Sequence, residues 1–345
     1  MFRSLRSPFI LATFLSAFGY AGVQLPLHTL RDQANTSHCW AYASSHLLES
    51  RALVRGDTEF MIDTELDSNY WVNYERMMEI YRTKNKDIYL GSSQGGWQME
   101  FWNTLLKHGK NIHHTKHTQA QILYPVLKDY STHLAFLPPP VHSPDPSLPS
   151  FESLRAKFEK EFKTEAEASE YAIDYLDRYY GEPKNSTTWF AEETDLTDTA
   201  SLILEDDFEK NNKTDSLVLI KPVTDGDSKW VKYLGERFWG YRYDAAKILE
   251  LVEASLDKQF PVTFDNVFHA MTIIGYETSN GDTFYAVADS VPGKITWYSS
   301  ASLKSSLNLV TFFGESIQEF IPPRPPSLKS ENGYDQRDGL TEPPR

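Results

Sequence analysis

The sequence predicts an α+β fold of two lobes. Helical periodicity dominates the first part of the chain, strand patterns dominate the last part, and a charged helical stretch separates them. From Cys39 to about Arg55, Ala41, Ala43, Leu47, Leu48 and Leu53 fall on one helical face. Leu66 to Arg82 reads as a second amphipathic helix, and a Gly95-Gly96 turn precedes a third, Trp97 to His108. These three form an N-terminal helical layer. Pro138 to Pro149 is a proline-rich connector, and Phe151 to about Tyr180 is a long charged helical stretch followed by acidic sequence to Asp215. Such charge more often covers a solvated surface than a site, so residues 138–215 read as a helical acidic insertion or a flanking lobe. Strand patterns follow at Ser216 to Ile220, Pro261 to Phe264, His269 to Tyr276, Thr283 to Asp289 and Ile295 to Tyr298, with a helix at Tyr243 to Leu256. Asn280-Gly281 between two of these runs marks a hairpin turn. Residues 322–345, rich in proline and charge, are expected to be a flexible tail.

Composition narrows the function. The 345 residues are 40% hydrophobic, enough for a substantial core. A formal net charge of -14 argues against nucleic acid and against an anionic membrane surface as partners. Arg3 and Arg6, then the apolar run Pro8 to Ala21, resemble an export signal over residues 1–21, with Gly19 and Ala21 as small residues near the cleavage point. A buried N-terminal helix is the alternative. The run is short for a membrane span, which needs roughly 20 apolar residues. The expectation is a secreted or periplasmic protein with no stable membrane anchor once the signal is removed.

Cys39 is the single cysteine, so no internal disulfide can form. A lone exported thiol invites oxidation, although a free cysteine can equally be a small buried hydrophobe. Its neighbours favour chemistry. Cys39 opens a helix, where the peptide dipoles favour thiolate, and its backbone N–H can stabilise an oxyanion. Gln33, just upstream, offers a side-chain amide as a second donor. His113, His114 and His117 cluster without a cysteine or a clear carboxylate to complete a metal site, and are read as a surface loop. No metal and no cofactor is expected.

Gln33, five residues, then Cys39-Trp40-Ala41-Tyr42-Ala43 resembles the active-site signature of papain-like cysteine peptidases. The family's second, disulfide-forming cysteine is absent, replaced within Asn35-Thr36-Ser37-His38, which points to the bleomycin hydrolase and aminopeptidase C branch. Leu66 to Met78 is similar to that branch's segment after the active-site helix. Gly95-Gly96-Trp97 resembles the family's Gly-Gly segment. The resemblance implies that Gly95, Gly96 and Trp40 line the substrate-binding cleft; apart from it, the glycines are an ordinary turn. Phe268-His269-Ala270-Met271-Thr272-Ile273-Ile274-Gly275-Tyr276 is similar to the strand carrying the family's catalytic histidine, and Gln259-Phe260-Pro261-Val262 to the segment before it. A histidine on an apolar strand is by itself usually a core residue, but of the 10 histidines His269 alone stands in this context. Where the family has Asn-Ser-Trp-Gly, this chain has Asp289-Ser290-Val291-Pro292. Asp289 would then orient His269 in place of the asparagine. The missing tryptophan would leave that bond more open to water.

The resemblance therefore implies a papain-like two-lobed fold, with an N-terminal helical lobe and a C-terminal antiparallel β lobe, over residues 22–321. It also implies an exported peptidase acting on peptide or protein substrates through Cys39, His269, Asp289 and Gln33. A Cys-His-Asp set also resembles transglutaminases, and a catalytically silent binding protein on this fold is a third reading. The tail ending Thr341-Glu342-Pro343-Pro344-Arg345 would, by the same branch resemblance, lie in the cleft; its proline content fits a mobile tail equally well. The sequence sets neither oligomeric state nor substrate preference.

Overall fold

The computed structural model describes residues 21–27, 30–31, 33, 37–56, 62, 64–85, 88, 90, 96, 98, 100–102, 104, 147–180, 217–224, 228–233, 238–291 and 293–322. Residues 1–20 of the signal-like segment, the histidine cluster, Gly95, Trp97 and the tail beyond residue 322 lie outside them, as does the acidic stretch from 181 to 216; Ala21, the last residue of that segment, begins a strand.

The fold is α+β, with helices and a mixed sheet. Its strands are β1 (Ala21–Gln24), β2 (Leu217–Val223), β3 (Trp230–Tyr233), β4 (Phe238–Asp244), β5 (Val262–Asp265), β6 (Ala270–Ser279), β7 (Asp282–Asp289), β8 (Lys294–Ser299) and β9 (Leu309–Phe313). They run in the order β3-β4-β2-β9-β5-β6-β7-β8, with β1 added on β6. The expected antiparallel arrangement holds for every described pair but one: β2 and β4 run parallel. The cause is the return path. β3 forms the edge and pairs antiparallel with β4, which comes back between β3 and β2 in the direction of β2.

Side-chain alternation divides the sheet into two apolar faces. Leu217, Leu219, Ala270, Leu309 and Phe313 face helix α1 (Cys39–Val54). Val218, Ile220, Phe264, Met271, Ile273, Val310 and Phe312 face the other way, towards a helix over Ile248–Asp257 that contributes Leu251, Val252 and Leu256. The predicted helix from Tyr243 thus starts later, because Tyr243 and Asp244 complete β4.

Helix α1 departs from the one-faced pattern. It is buried on all sides, polar residues included, from Trp40 to Ser50. Ser44 and Ser45 donate to the carbonyls of Trp40 and Ala41 at 2.8 and 3.0 Å, which satisfies their hydroxyls inside the helix. Both carboxylate oxygens of buried Glu49 accept from Arg31 Nη2, at 2.7 and 2.8 Å, while Arg31 Nη1 donates to the Ile62 carbonyl. Thr272 of β6 donates to the Ala43 carbonyl at 3.0 Å, so the small residues of α1 let helix and sheet approach closely.

Helix α2 (Thr64–Thr83) packs against α3 (Phe151–Lys160) and α4 (Glu165–Tyr180). The long charged stretch is therefore two helices. Thr164 Oγ1 accepts from the Glu167 N–H and Glu167 Oε2 accepts from the Thr164 N–H, a reciprocal capping box that starts α4. The stretch is also only half solvated: Leu154, Phe158, Ala168, Ala172, Tyr175 and Leu176 are buried against Met77, Met78 and Ile80. The helix over Ile248–Asp257 is α5, and α6 (Ser300–Ser306) and α7 (Gly314–Ile317) follow; residues 98, 100–102 and 104, within the third predicted helix, are helical as well. The β6–β7 turn has Asn280 at φ 53 and Gly281 at φ 86, the left-handed pair that a tight hairpin requires.

Strand β1 continues the line of β5 along one edge of β6. β5 pairs with Ala270 to Ile273, and β1 with Gly275 to Thr278. A Cβ at Gly275 would lie 2.4 Å from the Val23 carbonyl oxygen, so glycine is what allows the two backbones to meet.

Candidate active site

Of the residues expected to act together, Cys39, His269 and Asp289 lie side by side, and Gln33 is bonded to Ser290, the residue after Asp289. Cys39 is the first residue of α1. The preceding His38 makes no side-chain cap to the helix, and the first N–H groups of a helix lack intrahelical acceptors. The half-buried thiol thus sits at the positive end of the helix, beside the Cys39 N–H.

His269 immediately precedes β6 and stands near enough to Cys39 for the thiol to act on the imidazole charge. Its Nε2 lies 2.7 Å from Asp289 Oδ1 at the end of β7, which assigns Nδ1 to the Cys39 side. Burial alone would lower the imidazole pKa. Hydrogen bonds to Asp289 and Cys39, with the charges of both, overcome it and raise the pKa to about 9. The imidazolium is favoured through neutral pH. The His269 and Asp289 side chains are only 19% and 13% exposed, so their bond is shielded although the family's tryptophan is missing after Ser290, contrary to the expectation of a bond more open to water. Val291 stands there instead, and its N–H donates to Asp289 Oδ1 at 2.8 Å.

Gln33 is buried and anchored twice to Ser290. Its N–H donates to the Ser290 carbonyl at 2.9 Å, and Ser290 Oγ donates to Gln33 Oε1 at 2.7 Å. The residue after Asp289 therefore fixes which end of the Gln33 amide is the acceptor and which is the donor.

Of the expected cleft residues, Gly96 packs directly on Trp40: a Cβ there would lie 2.6 Å from the indole ring. Trp40 itself is buried, its ring edge-on to Phe101 and its Nε1–H donated to the Ser37 carbonyl at 3.0 Å. Trp40, expected to line the cleft, is thus buried beneath Gly96.

Sequence reasoning missed three positioning residues. Asn266 Oδ1 accepts from the N–H groups of Phe268 and His269, both at 2.7 Å, and its own N–H donates to the His269 carbonyl at 2.9 Å. This closes the β5–β6 turn and fixes the backbone of His269. An Asn three residues before a candidate base in a short turn was the available signal. Ser290 was visible only as the neighbour of Asp289. Gln98 reaches Asp265 across the chain and had no sequence signal. Among the described residues no group of three or more His, Cys, Asp or Glu is placed to hold a metal ion, and no helix is long and apolar enough to cross a membrane.

No known family's sequence profile matches the chain, and no curated protein sequence matches it. Among solved structures it is similar to PepW from Lactobacillus rhamnosis, with a TM-score of 0.49 and 12% identity, over 85% of this chain and 82% of that one. It is also similar to a chain from a structure concerning the mite allergens Blo t 1 and Der p 1, with a TM-score of 0.33 and 10% identity, over 90% of this chain and 74% of that one. At these scores and identities neither likeness carries an argument about activity, and the chemistry of the site rests on its own residues.

Proposed function

We propose that this protein is a papain-like cysteine peptidase with Cys39 as nucleophile, His269 as base and Asp289 as the residue that orients and charges the imidazole. The observation that carries the reading is the convergence of three separate elements: the start of α1, the turn before β6 and the end of β7. The papain-like motif around Cys39 supports it, and the two-lobed division and the bleomycin hydrolase branch belong to the same proposal.

The Cys39 Sγ proton passes to His269 Nδ1, giving a thiolate–imidazolium pair. The thiolate attacks the substrate carbonyl carbon, and the carbonyl oxygen takes the negative charge. The Cys39 N–H and Gln33 Nε2–H stabilise that oxyanion. His269 returns its proton to the amine nitrogen as the C–N bond breaks, leaving a thioester. His269 then takes a proton from water, the hydroxide adds to the thioester carbonyl, and the acid and the thiol are released. Asp289 keeps its charge throughout and holds the imidazole by Nε2.

The test is intact mass after treatment with a peptidyl-epoxide thiol trap under reducing conditions, followed by peptide profiling. One adduct, absent in Cys39→Ala and strongly slowed in His269→Ala, with hydrolysed peptides, is the expected result. A thiol no more reactive than free cysteine would leave a silent binding protein as the reading. Amide transfer to an added amine in place of hydrolysis would favour the transglutaminase-like acyl transferase. Export through a signal at residues 1–21, to a secreted or periplasmic location, is a separate proposal that the N-terminal sequence of the mature protein checks.

A further inference from the structure

Cys39 and His269 ride on different layers. Cys39 opens α1, whereas His269 stands in the turn that leads into β6. Their separation therefore depends on how the helices are held against the sheet. Apolar packing holds layers together but is non-directional, so it does not by itself set a distance between two side chains. Directional bonds do. Thr272 of β6 makes one, to the Ala43 carbonyl in the first turns of α1. A second link lies on the β5 side, and Gln98 makes it.

The Gln98 side chain is buried. Thr263 Oγ1 donates to Gln98 Oε1 at 2.7 Å, and Gln98 Nε2 donates to Asp265 Oδ1 at 2.8 Å. Thr263 and Asp265 alternate onto the same face of β5, so one amide spans both, and its donor and acceptor ends are fixed. Each end of this bridge leads to one member of the reacting pair. On the helical side, Gln98 lies between Gly96 and Phe101 in the chain, and both pack on Trp40, the neighbour of Cys39. A Cβ at Gly96 would lie 2.6 Å from the indole, and the Phe101 ring stands edge-on to it at 6.3 Å. On the sheet side, Asp265 pairs with Ala270, the residue after His269, and is near enough for the imidazolium charge to act on its carboxyl. Asn266 follows and holds the His269 backbone by bonds in both directions. The path from Trp40 to His269 thus passes through a single side-chain amide.

We infer that Gln98 is a positioning residue for the proposed reaction: through Thr263 and Asp265 it fixes the distance between the His269 imidazole and the Cys39 thiol. This rests on the peptidase reading of those two residues.

The test is the second-order rate of Cys39 modification by a peptidyl epoxide across pH, with Tm measured beside it. Epoxide opening consumes the imidazolium proton, and Cys39 is one of the causes that keep the imidazole charged up to about pH 9. In Gln98→Leu both bonds of the bridge are lost. An opening of about 1 Å weakens a close charge pair enough to lower the alkaline limb by about 0.5–1 pH unit. Misplacement on that scale should slow the reaction about 10- to 100-fold. Gln98→Glu alone sets two carboxyls against each other. They share a proton near neutral pH and part once both ionise, so its alkaline limb should fall as well. Adding Asp265→Asn to Gln98→Glu exchanges the amide and the carboxylate. Thr263 Oγ1 and the new amide then both donate to the carboxylate at position 98, and limb and rate should return to within about twofold of wild type. A Gln98→Leu protein that melts lower but keeps the wild-type limb and rate would overturn the proposal, leaving the bridge as a bond for stability alone. So would a double variant whose limb stays where Gln98→Glu puts it. If Gln98→Leu does not fold, the comparison of Gln98→Glu with the double variant decides. A wild-type Cys39 no more reactive than free cysteine would overturn the peptidase reading and this inference with it; a reactive wild type with unmoved variants overturns this inference only.

Discussion

Removing the Asp289 carboxylate should move the alkaline limit of Cys39 reactivity. The imidazole is charged up to about pH 9, and its 2.7 Å bond to Asp289 is one of the causes. A hydrogen bond to a charged group is worth about 1.5–3 kcal/mol. At about 1.4 kcal/mol per decade, its loss makes the imidazolium about 10 to 100 times more acidic. In Asp289→Ala the alkaline limb therefore falls from about 9 to about 7–8. Asp289→Asn keeps an acceptor for both the imidazole and the Val291 N–H but loses the charge, so its limb should lie between the two. The assay is the second-order rate of Cys39 modification by a peptidyl epoxide across pH. Epoxide opening consumes the imidazolium proton, so the rate falls as His269 deprotonates. A limb that stays near 9 in both variants would refute the pairing of Asp289 with His269 as the source of the shift.

Three further outcomes are expected. His46 is buried in α1, has no hydrogen-bond partner on either ring nitrogen among the described residues, and is pushed from 6.5 down to about 3, first by burial and then by the Arg31 charge. The unfolded chain thus binds the extra proton at higher pH, so stability falls as pH drops below 6.5 towards 3. Denaturant melts should show the wild type losing about 3 kcal/mol more than His46→Phe between neutral pH and about pH 4.5; parallel acid limbs would argue against it. Ser290→Ala leaves the Gln33 amide without its orienting donor and should lower kcat about fivefold, with KM and the alkaline limb unchanged. Gly275→Ala pushes a methyl into the Val23 carbonyl and should destabilise the fold by about 1–3 kcal/mol through β1, seen as a lower Tm.

Much of this site is legible in the chain because its parts obey local rules. Cys39 could be placed at a helix start, since the apolar repeat begins there, and α1 does open at Cys39. The strand after His269 and the Asn280-Gly281 hairpin bring Asp289 back towards it, because the two-residue turn fixes the β6–β7 register. Local rules fail where pairing is long-range. Nothing near Gln33 announces that Ser290 holds its amide, and the link from Gln98 to Asp265 spans two elements that meet only once α1 is packed on the sheet. The all-round burial of α1 escaped its periodicity for the same reason: serines that bond to their own helix and a glutamate paired with Arg31 look solvent-facing in sequence. The parallel β2–β4 pair was equally hidden, since strand direction depends on how the chain returns and leaves no mark on side-chain alternation. By itself, then, the sequence determined which residues could do the chemistry and which elements carry them, because helix dipoles, turns and alternation act over a few residues. Only the tertiary structure decided which partners hold those residues in place and that a second carboxylate stands beside His269, because both depend on contacts between segments far apart in the chain.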